Sequence, residues 1–161
     1  MNRISKDEYY LSVAESISKR STCLRRQYGA VIVNDDEIVS TGYNGSPRSE
    51  VNCIDCGECL RNTLKIPKGE RYEICRAVHA EQNAIISASR KEMAGGTIYI
   101  VGKESNGTYA DPSPCLLCRR FIVNAVITRC VGLINGKPTE IDISTASETV
   151  QINKLIENIK S

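Results

Sequence analysis

Two short stretches, His79-Ala80-Glu81 and Pro114-Cys115-Leu116-Leu117-Cys118, decide how this sequence reads. Each falls where an irregular segment gives way to a predicted helix. Cys115 and Cys118 are three positions apart, so one face of a single helical turn can offer both sulfurs to one metal ion. A helix N-terminus also favours thiolate over thiol, the form that zinc takes. His79 is the chain's one histidine and supplies a third ligand, which leaves a tetrahedral ion one position for water. Glu81 lies two residues beyond His79, so it does not share the metal from mid-helix. At the first turn it can approach water and substrate instead, as a proton shuttle requires.

The residues around these stretches supply the frame. Cys75 to Ala84 leads into a helix predicted from His79 to about Ser89, which Gly95-Gly96 ends. Thr97-Ile98-Tyr99-Ile100-Val101 is a β-branched and aromatic strand. Pro114 opens a helix with Leu117, Phe121 and Ile122 on one side, and a strand is predicted over 126–134. Upstream, Ser5-Lys6-Asp7-Glu8 is a capping box for a helix over 6–19, with Tyr10, Val13, Ala14 and Ile17 at helical spacing. Ala30-Val31-Ile32-Val33 and Ile38-Val39-Ser40-Thr41 flank Asn34-Asp35-Asp36 as a hairpin. A last helix is predicted over 152–159. Alternating helices and strands make this an α/β chain of three layers, α/β/α, and residues 1–161 are expected to form one domain.

Composition narrows the function. The chain has 161 residues, 41% hydrophobic and 25% charged, with a net charge of +2. That small excess argues against a polynucleotide-coating protein but not against a small anionic ligand, for which one or two arginines suffice. No apolar run approaches the ~20 residues of a membrane span. The opening Met1-Asn2-Arg3-Ile4-Ser5-Lys6 lacks the apolar core of a secretory signal, so a cytoplasmic location is expected and no membrane partner. Eight cysteines in a reducing compartment read as metal ligands before disulfides.

His-x-Glu followed by Pro-Cys-x-x-Cys is the signature of the zinc deaminases, and from about Ser21 to Val131 the chain resembles the deoxycytidylate deaminase branch of the cytidine deaminase fold. Further marks are Tyr28-Gly29-Ala30-Val31-Ile32-Val33 and Thr41-Gly42-Tyr43-Asn44-Gly45-Ser46-Pro47-Arg48. The resemblance implies zinc on His79, Cys115 and Cys118, with Glu81 as the shuttle. It implies Ala80 beside the base, Asn44 at the sugar, a five-stranded mixed sheet with helices on both faces, and a homo-oligomer. One departure is the segment 102–113, longer than the matching connection in typical relatives, which can line the pocket and alter specificity.

A second cysteine group, Cys53, Cys56 and Cys59, has metal-ligand spacing and lies in a stretch, 44–73, with almost no periodicity. A loop this long needs something other than a hydrophobic core to hold it. A structural zinc would do so; the other reading is idle thiols in a flexible loop. The resemblance brings Cys23 and Cys75 nearby and favours Cys23, Cys53 and Cys75 with either Cys56 or Cys59. Cys130, in an apolar strand, reads as core.

For a 5′-phosphate the candidates are Arg25, Arg26, Arg48, Arg119 and Arg120. Arg48 leads, because it lies in the Gly/Asn/Ser/Pro turn that resembles the family's nucleotide-binding loop, where backbone N–H groups around Gly45 and Ser46 can assist as an anion nest. The expected reaction is hydrolytic deamination of deoxycytidylate. The rivals are deamination of a free nucleoside or of a base in RNA, and a non-catalytic zinc-stabilised binding module. Aromatics at 5% without tryptophan weigh against RNA, and a purely structural zinc has no use for Glu81.

Overall fold

The computed structural model describes residues 2–144 and 146–160, with 146–151 described by their backbone alone. Helix α1 (Lys6–Ser18) starts at the expected capping box: the Ser5 hydroxyl accepts from Glu8 N, and the Glu8 carboxylate accepts from Ser5 N at 2.7 Å. Strands β1 (Arg26–Asn34) and β2 (Glu37–Tyr43) form the expected hairpin. Asp35 and Asp36 make its turn with left-handed φ of 48° and 65°, the geometry that matches the twist of the flanking strands.

Three short helical turns break up the stretch that follows: α2 (Cys53–Cys56), α3 (Leu60–Thr63) and a 3₁₀ turn at Tyr72–Ile74. Helices α4 (Ala80–Ile86) and α5 (Arg90–Met93) then lead to β3 (Thr97–Glu104). The expected helix over 79–89 therefore stops early. A two-residue β4 (Tyr109–Ala110) folds back on Gly102 and Lys103, so the segment 102–113 is largely a hairpin extension. Helix α6 (Leu116–Asn124) leads to β5 (Arg129–Ile134), β6 (Lys137–Glu140) and α7 (Ala146–Lys160). The expected strand over 126–134 begins late because Val126 turns with φ 62°. β6 and β4 had no periodic signal; both are short edge pieces recruited by their hairpin partners.

The sheet runs β2-β1-β3-β5-β6, with β4 attached to β3. It is mixed: β3 and β5 pair parallel across α6, and the remaining pairs are antiparallel. Five strands lie on the main path, as expected. Alternation puts both faces of the central strands under cover. Ala30, Ile32, Ile98 and Ile100 pack with Ala80 and Ala84 of α4 and Ile122 of α6. Val31, Val33, Tyr99 and Val101 pack with Tyr10, Leu11 and Ala14 of α1 on the opposite face. This is the three-layer α/β/α arrangement, and Cys130, 1% exposed, is a core residue within it.

Two contacts fix the helix that carries the first motif. A Cβ on Gly42 would stand 2.3 Å from Ala80 O and 2.4 Å from Ala84 N, so glycine lets α4 lie directly on β2. The Ser40 hydroxyl donates to Ala84 O at 2.7 Å from the same strand. Asp7 locks the opposite layer by pairing with Arg129 and accepting from Tyr99 OH. No helix among the described residues is long and apolar enough to cross a membrane.

Candidate active site

His79 stands at the entrance of α4, where the Gln82 side chain accepts its backbone N–H at 2.9 Å. Cys115 caps α6, its sulfur accepting from Cys118 N at 3.5 Å. The two helix starts converge. His79 Nδ1 lies 3.6 Å from Cys115 Sγ and 3.4 Å from Cys118 Sγ. Among the described residues these three form the one group whose ligand atoms all lie within 4.8 Å of one another. A tetrahedral zinc with Zn–S of about 2.3 Å and Zn–N of about 2.05 Å separates N from S by about 3.5 Å. The residues therefore fit zinc.

Charge is arranged to match. A hydrogen bond from Cys118, with another from His79, lowers the Cys115 thiol, while burial opposes. His79 is raised in turn, first by its hydrogen bond to Cys115. Glu81, 7% exposed, has its carboxyl raised by burial and lies against the Cys118 sulfur. A carboxyl that can hold a proton thus sits beside the ligand cluster without belonging to it.

A cavity of about 410 Å³ opens over this cluster, large enough for a nucleotide-sized ligand. His79, Ala80, Glu81 and Cys115 form its floor, with Asn44, Arg26 and Tyr28 on one wall. Asn44 is mostly spent on the protein: its oxygen accepts from Ser21 Oγ and Tyr28 N, and its nitrogen donates to Arg26 O. One amide N–H remains for a ligand. Arg26 is held by both oxygens of Glu104 at 2.8 and 3.0 Å.

Arg48, Gly45 and Ser46 do not line the cavity. This corrects the expected anion nest. Gly45 spends both its N–H and its C=O on Val78, Ser46 N donates to Thr22 Oγ1, and Arg48 is exposed. The turn is a structural bridge that sets the approach to α4.

The cavity's outer wall was not foreseen. Arg61, 5% exposed, donates to the carbonyls of Pro67, Glu70 and Arg71 and lies 5.0 Å from the Tyr72 ring. Tyr72 meets the His79 ring edge-on, centroids 5.2 Å apart. Lys68 pairs with Asp111 at 2.8 Å, joining the cysteine-rich segment to the segment 102–113. Burial opposes ionisation of Asp111, but Lys68 and the Ser113 N–H outweigh it and hold the carboxyl at about 2. The Tyr28 hydroxyl donates to Asp111 O at 2.9 Å. The end of the segment 102–113, Asp111 and Ser113, thus lines the pocket.

In the second thiol group, Cys23, Cys59 and Cys75 face this cavity. Cys53 is drawn beside Cys23 by the Ile54 N to Thr22 O bond at 3.2 Å. Burial, then the neighbouring Cys23, raises the Cys53 thiol, with smaller contributions from Cys75 and Cys59. The Ser46 hydroxyl, otherwise unpartnered, acts on the same sulfur in the opposite direction. Cys56 is exposed.

Residues 4–134 match the model of the cytidine and deoxycytidylate deaminase zinc-binding region. A deoxycytidylate deaminase of Schizosaccharomyces pombe is 35% identical over 116 residues, 72% of this chain and 33% of the relative. Another, of Mycobacterium phage D29, is 34% identical over 135 residues, 81% of this chain and 96% of the relative. The chain thus spans about a third of the yeast relative and nearly all of the phage one. The apo dCMP deaminase of cyanophage S-TIM5 superimposes with a TM-score of 0.57 at 24% identity, covering 84% of this chain and 89% of that one. At that identity the likeness is one of fold.

Proposed function

The chain belongs to the cytidine and deoxycytidylate deaminase family, and on that premise we propose that it hydrolyses dCMP to dUMP and ammonia. One observation carries the reading: a three-ligand His79/Cys115/Cys118 cluster and the buried Glu81 share a cavity with Arg25, Arg26, Arg61, Lys68 and Arg119. The carboxylates in that wall are Glu81 and Asp111. A cation excess around a deaminase site suits a phosphorylated substrate better than a free nucleoside. The deoxycytidylate deaminases among the relatives support the same choice.

His79, Cys115 and Cys118 would hold a zinc ion, which would supply Lewis-acid activation of water for hydrolysis. Glu81 takes one proton of the attacking water and delivers it to the ring nitrogen next to the reacting carbon, then carries the second proton, from the hydroxyl now on that carbon, to the departing amine. Water's oxygen stays on the ring carbon as the C–N bond breaks and ammonia leaves. Ala80, fully buried on the floor, packs against the base, and Asn44 offers its free N–H to the sugar. Tyr72 braces the His79 ring. Ammonia release across dCMP, deoxycytidine, CMP and dAMP tests the reading: dCMP should dominate, and dominance by dAMP would reject it.

The second thiol group is read as a structural zinc site on Cys23, Cys53, Cys59 and Cys75. Exposure of Cys56, and the influence of Cys23, Cys75 and Cys59 on the Cys53 thiol, favour this set, whose sulfurs would draw together on the ion. The folded protein should then contain about two zinc ions per chain. A value near one, with these thiols freely alkylated, would return them to idle cysteines. One domain in the cytoplasm, acting as a homo-oligomer without nucleic-acid or membrane partners, completes the proposal.

A further inference from the structure

The cavity wall holds five cations, and four of them are engaged by the protein. Arg26 is gripped by Glu104 and Lys68 by Asp111. Arg61 is spent on three main-chain carbonyls. Arg119 gives its Nε to Pro114 O at 3.3 Å, and its charge acts on Asp142. Arg25 differs. It is half-buried and lines the cavity, and among the described residues no protein acceptor or carboxylate partners it. A guanidinium withdrawn from water without a counter-charge is costly, and its planar fork matches two oxygens of a phosphate.

Its placement is also fixed in advance. Arg25 directly precedes β1, and the carbonyl of the next residue, Arg26, accepts from the buried Asn44 amide at 2.9 Å. Asn44 ties the same point to Ser21 and to Tyr28 N, each at 2.7 Å. The backbone that presents Arg25 is therefore pinned to the residue that offers its remaining N–H to the cavity. The backbone needs no reordering when a ligand arrives, so only the Arg25 side chain loses freedom.

We propose that Arg25 is the specificity-determining residue that reads the 5′-phosphate of the substrate. The inference rests on the deaminase reading of the cavity and deepens it: nucleotide and nucleoside are told apart at the start of β1, away from the exposed Arg48 turn. Arg26 and Lys68 shape the wall through their own ion pairs.

The test uses the zinc-loaded full chain, with kcat/KM for dCMP and deoxycytidine compared in wild type, Arg25→Ala, Arg25→Lys, Arg119→Ala and Arg48→Ala. Arg25→Ala should lower the dCMP-to-deoxycytidine ratio roughly tenfold or more, the worth of at least one charge-assisted hydrogen bond. Arg25→Lys should recover part of it, since lysine keeps the charge and loses the fork. Arg48→Ala should leave the ratio intact. A ratio unchanged in Arg25→Ala, or lost in Arg119→Ala instead, would overturn the assignment. Metal content and thermal melting exclude a folding defect, and Arg25→Gln serves as a second variant if alanine is not tolerated. Binding of inorganic phosphate to wild type and Arg25→Ala, followed calorimetrically, separates the two readings. Phosphate binding lost in the variant upholds the anion site even if no cytosine compound is deaminated, whereas binding unchanged in the variant removes it.

Discussion

Glu81→Gln should retain zinc and fold while the turnover of dCMP drops by about 10²–10⁴-fold, the usual contribution of positioned proton transfer. Glutamine has nearly the same shape and can keep a hydrogen bond, but it neither accepts a proton from water nor delivers one to the base. The site makes the substitution clean. Glu81 is buried at the start of α4, against Cys118 but outside the ligand set, so the metal ligands are untouched. Replacing an ionisable group raised by burial with a neutral isostere removes a desolvation cost. Thermal stability of the variant should therefore equal or exceed that of wild type. Near-wild-type activity would move the shuttle elsewhere.

Loss of a ligand should cut deeper. Cys118 is fully buried at the first turn of α6, 3.4 Å from His79 Nδ1, and no other described side chain completes a third ligand there. Cys118→Ser should lose the catalytic metal and with it measurable deamination. Chelation of the wild type should do the same reversibly, with activity returning on added zinc. Because the metal binds the folded arrangement of His79, Cys115 and Cys118, zinc should raise the melting temperature of wild type. Cys118→Ser should lose the part of that shift that the catalytic site contributes. Full activity after exhaustive metal removal would contradict the site's chemistry.

What the sequence disclosed was whatever chemistry is local along the chain. The capping box at Ser5 and Glu8, the Asp35-Asp36 turn and the three-residue step from Cys115 to Cys118 each depend on neighbours within one turn. The apolar runs 30–33 and 97–101 identified strands buried on both faces, which already implied helices on either side. His79 and Glu81 were legible because the fold holds them at one helix start. The cavity wall was not. Lys68 meets Asp111 from a distant segment, and Arg61, Tyr72 and His79 meet across irregular chain, so no periodicity encodes either contact.

Part of the stretch 44–73 looked structureless because the Arg61 guanidinium, which gathers residues 67–71, bonds main-chain carbonyls, which any sequence possesses. Arg48 misled for a related reason. Its Gly/Asn/Ser turn has the composition of an anion nest, but the N–H groups that would form one are taken by Val78 and Thr22. Arg25 stood among five arginine candidates with nothing local to single it out; its significance comes from what does not bind it.

The central claim is that this cavity replaces the amino group of a cytosine nucleotide with an oxygen from water. The most direct test is to incubate the zinc-loaded protein with dCMP in water labelled in its oxygen and identify the product by mass spectrometry. The account predicts dUMP with one solvent oxygen on the pyrimidine carbon that carried the amine, and one ammonia for each dUMP. Unchanged dCMP in the presence of fully metal-loaded, folded protein, or label appearing only on phosphate, would contradict it.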